Sequence, residues 1–314
     1  MAKATGLPDA SAWALDPGLA YLNHGGFGAT PACVQAEQRD WQADMERNPT
    51  GFLVRQLPDL LDAVRAQVAA FLGADEGGLV FTGNATTGMQ TVIAQARLAP
   101  GDDVLTTDHC YPAILAQLRR AADRAGAELA IAPVPQPAGG RAVVAEAVLS
   151  RLSPRTRLVV VDHVASCSGM VFPVEEIAAE CRRRGVPVLV DGAHAAGMLP
   201  VDLGRLGADF WVGNLHKWVC APKAAAVLYT APQWRDSLRV GCQNSCRASD
   251  LGLYPQHSCS FASSICSYSG CSAGWCCSRG ATPPRTWRSW YCGTRSRSCG
   301  VRSAARNRTG PTAP

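Results

Sequence analysis

Between residues 20 and 230 the apolar positions alternate between a helical period and short unbroken runs. In VRQLPDLLDAVRAQVAAFLG, Leu57, Leu60, Leu61, Val64, Val68 and Phe71 recur at helical spacing and draw one apolar stripe along a helix. GLVFT then reads as a strand, and ATTGMQTVIAQARL as a helix with Asn84 or Thr86 available to cap it. The alternation continues with strand DVLTT and helix PAILAQLRRAADRAG, strand ELAIAPV and helix RAVVAEAVLSRL, strand RLVVVDHV and helix PVEEIAAECRRRG. VPVLVDG, ADFWVG and AAAVLYT follow as three more strands. Unbroken Val and Leu strands between amphipathic helices predict an α/β domain, with a mostly parallel sheet covered by helices on both faces.

Ligands of such sheets bind beyond the C-terminal ends of the strands. The polar residues that punctuate the chain fall there: Asn84 and Thr86, Asp108 to Tyr111, His163 and Ser166, Asp191 and His194, His216 and Lys217. Five loops at equivalent positions predict one site. Glu175 and Glu176 read as favourable charges at a helix start. His163 is left open between a buried structural residue and a wall of the site.

Composition divides the chain after Leu238. Residues 1–238 carry 20 basic and 24 acidic residues, a net of −4, whereas residues 239–314 carry ten Arg against Asp250 alone, a net of +9. The overall +5 therefore says nothing about a nucleic-acid partner for the first part. Nine of the 14 cysteines also lie after Leu238, and the periodicity stops there. A shifted reading frame matches that Ser, Cys, Arg and Trp usage best. A zinc or disulfide module and a basic nucleic-acid tail are the alternatives; the cysteines form no repeated CxxC pair, and the Arg and Trp carry no fold signature. The division is thus a domain over 1–238 and an atypical, frame-shifted or disordered segment over 239–314. MAKATGLPDASAWALDPG has no apolar stretch, and no run approaches a membrane span, so the expectation is a soluble cytoplasmic protein.

Lys217 follows a strand, 26 residues beyond Asp191. A partly buried lysine loses its proton more readily and can form a Schiff base with pyridoxal phosphate (PLP). Such a site also needs an acid opposite the pyridine nitrogen, which Asp191 can supply. It needs a phosphate cradle as well, and TGNATTG ahead of a helix offers backbone N–H groups and the Thr86 hydroxyl. No metal site is expected.

DGAH followed by NLHKW resembles the class V aminotransferases, PLP-dependent enzymes of fold-type I. YLNHGGFGATP, TTDHCYPA and VDHVASCSGMVFPVEEI are similar to the isopenicillin N epimerase-like branch, and the resemblance runs from about Tyr21 to Tyr229. It implies a fold-type I large domain whose small C-terminal domain has no counterpart here. It also implies that Lys217 forms the internal aldimine, Asp191 pairs with the pyridine nitrogen, and His194 and Ser166 lie by the phenolic oxygen. Asn84, Ala85 and Thr86 would surround the phosphate with His216 assisting. His109 or Tyr111 would stack on the ring, and Asn23 and His24 would face an amino-acid-type substrate. A homodimer is implied, with no nucleic-acid or membrane partner. Epimerase-like chemistry leads, a cysteine desulfurase or C–S lyase is the alternative, and a truncated, inactive PLP-fold protein is the third reading. Cys110 and Cys220 read as small apolar fillers.

Overall fold

The computed structural model of the chain describes residues 10–137 and 139–238. The readings made for 239–314 lie outside the described residues. Helices α1 (Ala32–Arg47) and α2 (Leu57–Leu72) lead into strand β1 (Leu79–Thr82). Then α3 (Ala85–Ile93), β2 (Asp103–Thr107), α4 (Pro112–Ala125), β3 (Glu128–Ala132), α5 (Arg141–Leu149) and β4 (Thr156–Asp162) follow in alternation. After them come α6 (Val174–Arg183), β5 (Val188–Asp191), α7 (Leu203–Leu206), β6 (Phe210–Asn214) and β7 (Ala226–Thr230).

The strands form one sheet in the order β1-β7-β6-β5-β4-β2-β3. The pairs β2–β3, β2–β4, β4–β5 and β5–β6 are parallel, and β7 runs antiparallel to both β6 and β1. Every expected strand is present, and the sheet is mostly parallel. The reversal at β7 has a simple cause. Residues 215–225 between β6 and β7 contain no helix, so nothing carries the chain back for a parallel pairing. A fully buried strand reads the same in either direction, and β7 is buried throughout.

The period of two along each strand sorts side chains into two layers. Val159, Val161, Val188, Val190, Trp211 and Val227 pack in one layer with α2, α5 and α6. Leu158, Val160, Leu189, Val212 and Leu228 pack in the other, against Met89 and Val92 of α3 and Ile114 and Leu118 of α4. Continuing the alternation puts Asp162 and Asp191 at the C-terminal ends of β4 and β5 on the α3/α4 face. His163 falls on the opposite face. There Trp211, fully buried, donates its indole N–H to His163 Nδ1 at 3.3 Å. His163 is therefore a structural residue of the far layer. Gly192 is required by the same indole, because a Cβ there would overlap the Trp211 ring.

Local signals explain the helix ends. Asn84 caps α3, its Oδ1 accepting the Thr87 amide at 2.8 Å and the Thr87 hydroxyl at 3.1 Å. Helix α2 stops at Gly73 and α4 at Gly126, both left-handed. Helix α3 ends at Ile93 and α5 at Leu149, short of the apolar residues that seemed to extend them to Leu98 and Leu152. Helix α1 escapes the apolar pattern because only Val34 and Met45 of its length are buried. Glu175 and Glu176 do sit in the first turn of α6, and they also pair with Arg205 and Arg141. Among the described residues no helix is long and apolar enough to cross a membrane.

Trp211→Phe removes the indole donor and leaves His163 Nδ1 unpaired beside a new void. It is expected to cost about 2–3 kcal/mol in urea unfolding.

Candidate active site

The site forms where β1, β2, β4, β5 and β6 end on the α3/α4 side. Lys217 follows β6 by three residues and is half-buried. Its Nζ lies 3.0 Å from His194 Nε2, and the Trp218 indole N–H donates to His194 Nδ1 at 3.4 Å. That second bond fixes the chemistry of the first. An imidazole nitrogen that accepts from Trp218 leaves the proton of the neutral ring on Nε2, directed at Lys217 Nζ. Burial acts the same way on both groups. It lowers the proton affinity of Lys217, against the pull of Asp191, and it lowers the His194 pKa to about 4, with the lysine charge adding to the effect.

Asp191 is buried, and its Oδ1 accepts the Ala193 amide at 3.0 Å. Burial raises its proton affinity, while that amide and the Lys217 charge oppose the rise. A buried carboxyl group held at a strand end, facing a half-buried lysine, is suited to a cation placed between them.

The residues expected to surround a phosphate lie at the start of α3. Asn84 is committed to capping, and Ala85 gives its amide to Asn214 Oδ1 at 2.9 Å. Of the three residues expected around a phosphate, Thr86 is thus the one that retains both amide and hydroxyl for a ligand. No heavy atom lies within 4 Å of the position a Cβ would take at Gly83, so the backbone ahead of the helix faces open space. His216 donates from Nδ1 to the Ala225 carbonyl at 3.0 Å, which fixes its ring, and burial lowers its pKa.

His109 and Tyr111 are placed differently from each other. His109 is buried, with its nitrogens 3.0 Å from Ser168 Oγ and 2.9 Å from Gln136 Nε2, and its ring edge-on to Phe172. Tyr111 precedes α4 and is 44% exposed. Of the two, Tyr111 is the one exposed to solvent. Ser166 is exposed in the turn after β4.

The segment 21–30 lies over the lysine loop. A Cβ at Gly28, where φ is +68°, would overlap the His216 carbonyl, so glycine is needed for both conformation and approach. Asn23 is exposed and turns back to accept the Gly26 amide at 2.9 Å. His24 packs among Trp13, Tyr21 and Trp218 and accepts the Ala29 amide at 3.3 Å. Its Nδ1 is thus engaged, while its ring packs among these aromatic neighbours. A cavity of about 410 Å³ is lined by Tyr21, Gly28, Thr30, Gln35 and Lys223, and Asp191, His194 and Lys217 do not line it. Burial pushes the Cys110 thiol up to about 12 and the Cys220 thiol up to about 11, which agrees with their reading as fillers. The pattern missed Asn214, Trp218 and Asp162. An asparagine ending an apolar strand, a tryptophan beside the lysine and an acid ending β4 were the available signals.

The sequence pattern of the aminotransferase class-V family matches residues 21–246. This chain belongs to the class V aminotransferase family. Isopenicillin N epimerase of Streptomyces clavuligerus is 34% identical over 218 residues, covering 69% of this chain and 55% of the relative. Putative L-cysteine desulfhydrase 1 of Oryza sativa subsp. japonica is 36% identical over 230 residues, covering 68% of this chain and 48% of the relative. A lysine-to-alanine mutant of C-DES, solved with glycine covalently linked to its PLP cofactor, matches with a TM-score of 0.70. Its identity is 28%, over 83% of this chain and 73% of that one. The class V chain thus has the architecture of PLP-dependent fold-type I enzymes, and it spans about half the length of the curated relatives it matches. The family match ends within the segment whose composition changes after Leu238.

Gly28→Ala forces a side chain against the lysine loop in a left-handed conformation. A loss of at least about 1–2 kcal/mol in urea unfolding is expected.

Proposed function

We propose that this class V chain binds pyridoxal 5'-phosphate on Lys217 and uses it to loosen the Cα proton of an amino acid. The observation that carries this reading is the half-buried Lys217, bonded to a neutral His194 and within electrostatic reach of the buried Asp191. When bound, the cofactor supplies an aldehyde that captures an amine and a protonated ring that accepts the electron pair left at Cα. Asp191 holds the proton at the ring nitrogen. Lys217 Nζ takes and returns the proton at Cα, because burial keeps it from being a permanent ammonium. His194 Nε2 orients that amine, and Trp218 fixes the tautomer of His194. The Thr86 amide and hydroxyl bind the phosphate with His216 nearby, and Asn84 and Ala85 shape the turn. Ser166 bonds the phenolic oxygen and Tyr111 covers the ring. Asn23 and His24 face the substrate, His24 also packing against Trp218.

Protonation of Cα on the face opposite Lys217, by a donor other than that amine, is epimerisation, the reading we favour in view of the isopenicillin N epimerase relatives. Loss of a sulfur group from Cβ is the second reading, supported by the relatives named putative L-cysteine desulfhydrases, 36% and 37% identical. A homodimer completes the proposal. Leu22 and Phe27 are 87% and 78% exposed beside the lysine loop, where a second copy would cover them.

The test is nuclear magnetic resonance of amino acids in deuterated water with the full chain and PLP. Exchange of the Cα proton is expected, and Lys217→Ala is expected to slow it at least about a hundredfold. Sulfide released from cysteine would move the assignment to the second reading. Absence of both signals would leave an inactive PLP-fold protein. The oligomer is tested separately by sedimentation, where a dimer is expected and a monomer would contradict it.

A further inference from the structure

Asp162 is a buried carboxyl group that no step above uses. It is the last residue of β4 and lies in register with Asp191, the last residue of β5. Leu158 and Val160 precede it at period two and Leu189 precedes Asp191 in the same way, all in the layer under α3 and α4. Both acids therefore stand on that face, on strands about 4.8 Å apart. Asp162 is 4% exposed and Asp191 is 7% exposed. Cys110, from the turn between β2 and α4, faces the pair as a neutral thiol, and Lys217 faces Asp191 from the loop after β6.

Two carboxylates side by side and out of water cannot both ionise cheaply. Their surroundings decide which keeps the charge. Asp191 accepts the Ala193 amide and faces Lys217. At Asp162 burial dominates, the Asp191 charge adds to it, its own backbone amide opposes it in part, and among the described residues no cation acts on it.

We propose that Asp162 and Asp191 hold one proton between them, that Asp162 is its resting place, and that Asp162 thereby acts as a positioning residue keeping the charge on Asp191. The role toward the ring nitrogen rests on the proposed function, but the shared proton does not. Burial, with the Asp191 charge adding to it, pushes Asp162 up to about 8. A neutral Asp162 lets its neighbour stay anionic without repulsion. An ionised Asp162 would drive a proton onto Asp191 and weaken its hold on any cation beyond the strand ends.

The proton is visible in folding without any cofactor. Between the ordinary carboxyl pKa and about 8, the unfolded chain has released this proton and the folded chain retains it, so stability falls as pH rises through that window. His163 and His194, both lowered to about 4, act in the opposite sense, but only below the ordinary histidine pKa. Lys217, lowered by burial, also acts in the opposite sense and is present in both chains of the comparison.

The experiment compares urea unfolding of the PLP-free full chain and its Asp162→Asn variant. From about pH 6.5 to about pH 8 the wild-type folding constant, relative to that of the variant, is expected to fall roughly 15-fold. Parallel profiles would overturn the proposal. Infrared spectroscopy of the wild-type chain decides the matter even if the variant does not fold. A protonated carboxyl band is expected at about pH 6.5 and gone well above pH 8, and its absence at the lower pH would overturn the shared proton. Because PLP is absent throughout, failure here is distinct from failure of the cofactor reading.

Discussion

The arrangement depends on an acid and an amine kept largely out of water without being allowed to pair with each other. Asp191 is fixed by the end of β5, and Lys217 is fixed three residues beyond β6, the next strand in the sheet. Were they a closed ion pair, each would be locked in its charged form. Instead the lysine amine is engaged by His194 Nε2, and the aspartate oxygen by the Ala193 amide. Burial acts on both, making the lysine a weaker acceptor of protons and the aspartate a stronger one. The separation asks for a ligand that is cationic toward Asp191 and electrophilic toward Lys217, and the ring of PLP has both ends.

Holding that separation needs stiffness on all sides. The indole of Trp211 fills the layer beneath Gly192, between Asp191 and the turn that carries His194. Above, segment 21–30 crosses the lysine loop closely enough that Gly28 tolerates no side chain, while His24 backs the Trp218 ring that orients His194. Cys220 and Ala224, both with positive φ, carry strain in the same loop. The loop is held by packing from both sides, and that fixes the direction of the Lys217 amine.

Much of this was legible in the sequence because it rests on local signals. Unbroken Val runs announced a doubly covered sheet, and polar residues at strand ends marked the sheet edge where Asp191, His194 and Lys217 come together. The place before an apolar run narrowed the cap to Asn84 or Thr86, and the structure gives it to Asn84. What escaped was set by tertiary contacts. The antiparallel course of β7 depends on an eleven-residue loop without a helix, and a strand buried on both faces does not record its direction. His109 and Tyr111 are two residues apart, and only packing showed that Ser168 and Gln136 engage the histidine. Ala85 looked available to a phosphate because Asn214, 129 positions away, gives no hint in sequence that it takes that amide. Asp162 looked like one more strand end until register placed it beside Asp191.

The most direct test of the central claim is the visible spectrum of the full chain mixed with PLP, followed by borohydride reduction and peptide mapping. The chain has three lysines, Lys3, Lys217 and Lys223, so the attachment point can be assigned without ambiguity. The account predicts a visible band that borohydride bleaches, with the reduced cofactor on Lys217. A soluble chain that gives no such band, or one that carries the label on Lys223, would contradict it.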